Sequence, residues 1–400
     1  MNSLFNDIDE KYFLSLIQRF YPLSKKQIVS NNHLFTGSKL IFNKNILWDI
    51  EQIDAYYNSI NWIVLSNYQN IDWSYELVHK YKDHLDWMYL SRNEGLPWSY
   101  KFLEVFNEYV HLDEVSAHIS KLFTYDFIVN HKEKITFRSL SNNKNLNWQK
   151  DILEECEDDL RLKEMYYNPG LPWSENLVLD FFADHWTNSE WRGFSKNKGF
   201  DWVGYLLYSD EIKLKIDWNN LSLNEGINWT EEFINHFSSA LNWKGLTINK
   251  GLPWSESLIR KFESKWTWFG YESIWTNYAI PWNESLISDY EKKCDWDRVS
   301  ENRNVEWTEN LIDKYEDKWA WAILSRNPSL PWSESFIDKY KAKFDWVGIS
   351  SNEGIPWNEN LFLKYKDNLD MDFVVWNKNF AERIINKIPS TEIDEYLKSI

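Results

Sequence analysis

Cysteine is nearly missing from this 400-residue chain, which has only Cys156 and Cys294, far apart in sequence. That excludes a disulfide-stapled scaffold, and two free thiols in a reducing compartment are expected instead. Basic charge is also short: 44 Lys and Arg stand against 61 Asp and Glu, a net charge of −17. Phosphate binding draws on clustered Lys and Arg, so a general binder of nucleic acid, double-stranded above all, is excluded, while basic proteins and peptides stay compatible. No apolar run is long enough to cross a bilayer, and the N-terminal sequence lacks a basic start followed by an apolar core. A soluble, cytoplasmic protein without membrane association is the expectation. Catalytic signatures are missing as well. None of the eight His forms an HExxH pair or zinc-finger spacing with Cys, and no Walker, GxGxxG or GxSxG loop occurs. The sequence therefore predicts no catalytic residue, no metal ligand and no cofactor. The acidic stretch Glu154, Glu155, Glu157, Asp158 and Asp159 has no opposing His and reads as a solvated helix end.

What the chain has is tryptophan, 26 residues of it, in two interleaved phases. The first runs Trp48, Trp73, Trp98, Phe123, Trp148, Trp173, Trp202, Trp229, Trp254, Trp282, Trp307, Trp332 and Trp357, at a spacing of 25 residues. The second follows 14 residues behind it as Trp62, Trp87, Leu112, Phe137, Leu162, Trp191, Trp218, Trp243, Trp268, Trp296, Trp321, Trp346 and Met371, and both spacings are broken only by insertions of four residues between Trp173 and Trp191, two between Trp202 and Trp218 and three between Trp268 and Trp282. Together they absorb 21 of the 26 Trp. Self-similarity at this period marks a tandem array of small supersecondary units, each packing only on its neighbours.

Counting from the first Trp as position zero, eleven of thirteen +1 residues are Ser, Thr, Asp or Asn, which start helices. Apolar residues at +4, +5, +8 and +12 keep one face of that helix buried, predicting about ten residues with Trp at N′ stapled to the apolar residue at +5. Asp or Asn at +13 starts a second, shorter helix carrying the second Trp. Asn then stands five residues before the next Trp, and Gly or Asn two residues later is expected to supply a left-handed turn. Pro before the next Trp forces an extended entry. Helices this short are unstable alone. Buried Trp, worth on the order of 5 kcal/mol each by area before entropy is subtracted, compensates. The Trp ladder is thus read as core and the Asn ladder as turn capping.

The segment W-x-x-L-S-x-N-x-G-L-P-W-S, intact from Trp87 to Ser99 and nearly so from Trp321 to Ser333 and from Trp346 to Asn358, resembles the Trp-rich tandem repeats of giant-virus and some bacterial proteins. The resemblance covers roughly residues 43 to 382 and implies a repeat architecture without assigning an activity; the units between 98 and 165 depart from it. The expected fold is all-α, a right-handed α-solenoid of about thirteen 25-residue two-helix repeats. Residues 1–47 are expected as an irregular N-terminal cap, 48–379 as the array and 380–400 as a C-terminal capping helix, making one elongated domain, monomeric when free.

Positions that vary between units carry the identity of a partner. Variation is greatest at +15 and +16, giving as candidate contact residues Ile63, Val64, Met88, Tyr89, Arg138, Lys163, Arg192, Lys244, Phe269, Arg298, Ile323 and Val347. These same residues could equally pack against the next unit. The function expected is a non-enzymatic scaffold, adaptor or inhibitor wrapping a partner protein. A binder of single-stranded nucleic acid or carbohydrate through exposed Trp, and an enzyme with a surface site between repeats, are the alternatives.

Overall fold

The computed structural model describes residues 8–400, the side chains of Leu207 and Tyr208 excepted, and it is an all-α repeat array. Among the described residues the one strand-like pairing is an isolated parallel bridge between Trp48 and Ile71. The described residues form two compact bodies, one of residues 8–80 with 282–400, the other of residues 81–281. Each body is a stack of the two-helix repeats.

The start signals work as side-chain chemistry demands. All eleven Ser, Thr, Asp and Asn residues at +1 accept a hydrogen bond from the backbone N–H three residues on. So do the Asp and Asn residues at +13, which accept from N–H groups in the first turn of the second helix. Gln149 makes no such bond, and Val203 lies inside the helix Trp202–Tyr208, which Asp201 caps instead. The first helices are shorter than expected, six residues in Tyr100–Val105 and Glu309–Lys314 and seven in Glu334–Tyr340. Helical geometry fails where the +8 aromatic turns inward: Phe106, Phe262 and Tyr315 adopt φ near −115° with small positive ψ and are buried. The staple also differs by one residue. Trp98, Trp229 and Trp332 meet edge to face with the +4 rings Phe102, Phe233 and Phe336, at 5.1 to 5.6 Å.

The Asn ladder does more than cap turns. Each Asn but Asn377 accepts the N–H two residues on through Oδ1, as expected, and in most of them, Asn302 excepted, the amide group also reaches the preceding repeat. Asn249 Nδ2 donates to the carbonyls of Ser222 at 2.9 Å and Asn224 at 3.2 Å, and Asn352 Nδ2 to those of Ser325 and Asn327. In most repeats the Asn carbonyl then accepts the indole N–H of the Trp five residues on, as in Trp254 to Asn249 and Trp332 to Asn327. A buried Ser or Thr runs beside it. Ser325 Oγ donates to the Trp321 carbonyl and accepts the Asp345 N–H, 20 residues on in the next repeat; Ser116, Ser141, Ser195, Ser222, Thr247, Ser300 and Ser350 accept in the same way. Buried polar groups are costly unless paired, so the two ladders fix the register between repeats.

Glycine two residues after Asn has a different cause from the one expected. The only positive φ among the described residues is at Gly270. A Cβ on Gly170, Gly251 or Gly354 would lie within 2.0 to 2.4 Å of a backbone oxygen of the preceding repeat. Close approach, not a left-handed turn, requires glycine there.

Residues 1–7 lie outside the described residues. The rest of the segment before Trp48 is helical: Glu10–Phe20 is followed by a complete repeat led by Leu23, with Ser24 capping Lys25–Ser30 and a second helix, Gly37–Leu40. Leu23 and Gly37 stand where the two Trp would be, which hides the repeat from a search by tryptophan. At the other end the chain forms Lys378–Arg383 and Ser390–Ser399. Two separately capped ends were expected; within the first body they pack on each other. Tyr21 Oη donates to the Ile388 carbonyl at 3.0 Å, Gln27 Nε2 to Asp394 at 2.7 Å, and Phe13 meets Tyr396 edge to face at 4.8 Å.

Candidate interaction surface

The rings are spent inside the repeats. First-phase residues are buried or half-buried, with Trp48, Trp202, Trp282 and Trp357 fully enclosed. Second-phase rings are buried or half-buried, and Trp87, Trp243, Trp268 and Trp321 each donate their indole N–H to the carbonyl five residues before. Trp376 alone among the described Trp is mostly exposed, at 62 %, and the Arg19 guanidinium lies 3.4 Å above its ring.

The +15 and +16 residues occupy the first turn of the second helix, and the structure separates them. Position +16, Gly270 excepted, faces the preceding repeat. A Cβ on Gly348 would stand 2.9 Å from Ser325 and Arg326, and one on Gly245 would stand 3.3 Å from Ser222; Val64, Tyr89, Arg298 and Ile323 at this place are half-buried. Position +15 points outward. In the first body Ile63 is exposed and Val347 half-buried; in the second, Met88, Arg138, Lys163, Arg192, Lys244 and Phe269 are all exposed, Phe269 at 69 %. Three of the cations are engaged: Arg192 with Asp217 at 3.4 Å, Lys244 with Glu272 at 2.5 Å and Arg298 with Glu301 at 3.7 Å. Arg138 and Lys163 form no ion pair among the described residues.

A second surface, along the first helices, was not singled out from sequence. Lysine at +7 reaches back one repeat: Lys80 to Asp54, Lys261 to Glu231, Lys314 to Glu284, Lys339 to Asp313, and Lys364 to Glu334 and Asp338. The +8 tyrosine joins it, Tyr340 Oη donating to Asp313 and Tyr365 Oη to Asp338. These partners hold the Asp313 and Asp338 carboxyls below the usual carboxylate range, Lys339 and Lys364 being the leading causes. The recurrence of Lys at +7 against Asp or Glu at +6 and +2 was available as a signal.

This strap is absent between the Trp148 and Trp173 repeats. There a groove of about 580 Å³ opens, lined among others by Trp148, Lys150, Glu154, Pro172, Asp180 and Phe181. Its wall Leu177–Phe182 is a π-helical turn. The extra residue puts Phe182 into the buried +8 place and leaves Phe181 half-buried at the groove.

Among the described residues no three His, Cys, Asp or Glu side chains gather as metal ligands would. Among the described residues no helix is long and apolar enough to cross a membrane. Both cysteines are free thiols, and burial pushes both up, Cys294 to about 12. No protein-family model, curated protein or solved structure matches the chain.

Proposed function

We propose that this chain is a protein-interaction scaffold that presents the first turns of its second helices to a partner protein. One observation carries the reading: the side chains that recur from repeat to repeat are consumed by the core and the inter-repeat ladders, while the side chain at +15, which differs between repeats, is exposed in most of them. Buried rings with engaged indole N–H groups disfavour stacking on bases or sugars. Free thiols with raised pKa values suit a reducing, intracellular setting.

Affinity capture from the native cell with two baits tests this. The first is the natural chain; the second carries Ile63→Glu, Met88→Glu and Phe269→Glu, all at exposed sites that leave the core untouched. A protein recovered with the first bait and lost with the second is the expected result. Recovery of nucleic acid alone, or of nothing that the substitutions alter, would overturn the reading.

A further inference from the structure

The groove between the Trp148 and Trp173 repeats lies where the lysine strap of other repeats is replaced by acidic and aromatic side chains. Five repeats set a lysine at +7 against a carboxylate of the preceding repeat. Here the +7 residue is Asp180, and the residue that the π turn brings beside it is Phe181, whose ring has no hydroxyl to donate. Asp180 and Glu154 line the groove together. Asp180 forms no ion pair among the described residues. Glu154 is held by Lys150 at 2.9 Å, from one turn away on its own helix, with both side chains more than half exposed. An exposed pair of this kind holds weakly and gives way to a better-placed cation. Past the extra residue of the π turn, His185 stands where Lys318 and Lys343 reach Glu291 and Glu316, and its Nε2 lies 3.8 Å from Glu157 of the preceding repeat. From Trp148 to His185 ten acidic residues face only three Lys or Arg.

We propose that this groove binds a lysine or arginine side chain presented by an extended, basic segment of a partner protein. The proposal rests on the protein-interaction reading above and gives it a second contact. The incoming cation sits between Glu154 and Asp180, as the +7 lysine of the strapped repeats sits against its carboxylates, and its aliphatic stem lies along Phe181 and Pro172. An aromatic wall favours a cation over a neutral group of equal size. The π turn is the local device that makes room: such one-residue insertions recur at functional sites because they re-aim a side chain without breaking the helix.

The test uses the full-length protein and two fluorescein-labelled nonapeptides, one alternating Arg and Ser, the other alternating Glu and Ser, in an anisotropy titration at physiological salt. The Arg peptide binds and the Glu peptide does not. Asp180→Lys, which installs the +7 lysine found in five other repeats, weakens Arg-peptide binding at least tenfold; Glu232→Lys, the same charge change at an exposed site of the second body, alters it less than twofold. Bound peptide slows hydrogen exchange over 148–154 and 176–182. Should Asp180→Lys lose its native circular dichroism, Phe181→Ser serves in its place with the same expectation. Equal weakening by Asp180→Lys and Glu232→Lys would reduce the binding to general attraction and overturn the groove. So would spermidine binding that Asp180→Lys abolishes while the Arg peptide fails to bind, since the site would then belong to a free polyamine. Either result leaves the capture experiment at the +15 surface standing on its own.

Discussion

At the scale of the residue, the asparagine five residues before most first-phase Trp carries two jobs that one substitution separates. Asn249 accepts the Gly251 N–H through Oδ1 at 2.7 Å and donates through Nδ2 to the Ser222 and Asn224 carbonyls. Asn249→Ala orphans three buried backbone groups and is expected to cost about 2–4 kcal/mol in urea unfolding, given about 1–3 kcal/mol for each unmade buried bond with partial relaxation. Asn249→Asp keeps the acceptor and loses the donor. It should cost nearly as much, and a near-neutral Asp variant would reduce the ladder to turn capping. Gly354→Ala places a Cβ against the Pro328 backbone oxygen and should cost about 1–3 kcal/mol or more. The turn itself was legible because its parts lie within five residues. The clamp was not, because its acceptors sit 25 and 27 residues away and the repeat offers the same residue types at every such distance. Glycine was misread for a related reason: a turn glycine answers either to positive φ or to a crowding neighbour, and the neighbour belongs to another repeat.

At the scale of the element, repeats differ in what holds them. In the middle, Leu112, Phe137 and Leu162 replace second-phase Trp, and His118 replaces an Asn of the ladder. Lys121 partly compensates, its Nζ donating to the carbonyls of Glu94 and Leu96, just as Asn70 donates to those of Lys44 and Ile46 where Tyr68 has taken the Asn place. A long exposed lysine is a weaker clamp than a buried amide, because ordering it costs more side-chain entropy. We therefore predict faster hydrogen exchange between residues 105 and 168 than between 300 and 360. We also predict a larger stability loss for Trp321→Ala, which removes a ring packed on Tyr340 and Phe344, than for Leu162→Ala. Uniform protection along both segments would remove the link between ring content and local stability. The lysine straps add a pH dependence. Asp313 and Asp338 have lowered folded pKa values, so their contribution is complete above the ordinary carboxylate value of about 3.9 and is lost as pH falls through the lower folded one. Acid titration followed by exchange at 309–340 should show this loss in the natural chain and not in Lys339→Met with Lys364→Met. Helix starts were readable from the caps; helix lengths were not, because the same +8 aromatic that extends an apolar stripe on paper ends the helix when its ring turns inward.

At the scale of the whole chain, the ends of an array are where exposed interfaces must be dealt with. A terminal repeat has a neighbour on one side only, so its outer apolar face needs a cap or a partner. Here the first body joins its two ends: the helix Glu10–Phe20 buries Phe13, Leu16 and Ile17, and the helix Ser390–Ser399 buries Ile393, Tyr396 and Leu397. The amphipathic character of both segments is visible in the sequence. Their pairing is not, because Tyr21 and Ile388, or Gln27 and Asp394, share no motif and lie at opposite ends of 400 residues. Removing residues 389–400 takes away the Asp394 and Ser390 acceptors of Gln27 and the ring that meets Phe13. The Leu23 repeat, which has no Trp in either phase and so the least ring area, then loses the support that keeps it folded. Nearest-neighbour coupling passes such a loss to adjacent repeats with decreasing force. The truncated chain is expected to exchange amide hydrogens over residues 10–40 at least tenfold faster than the natural one while residues 230–262, in the other body, keep their protection. Its Trp fluorescence should show an earlier unfolding step in urea. Tyr21→Phe, which removes one hydrogen bond and no ring, should shift the same residues in the same direction by less. Unchanged exchange over 10–40 in the truncated chain would mean that the end-to-end contact contributes nothing to holding the first repeats, and that their stability comes from the Asn43 clamp onto the Gln18 and Tyr21 carbonyls alone.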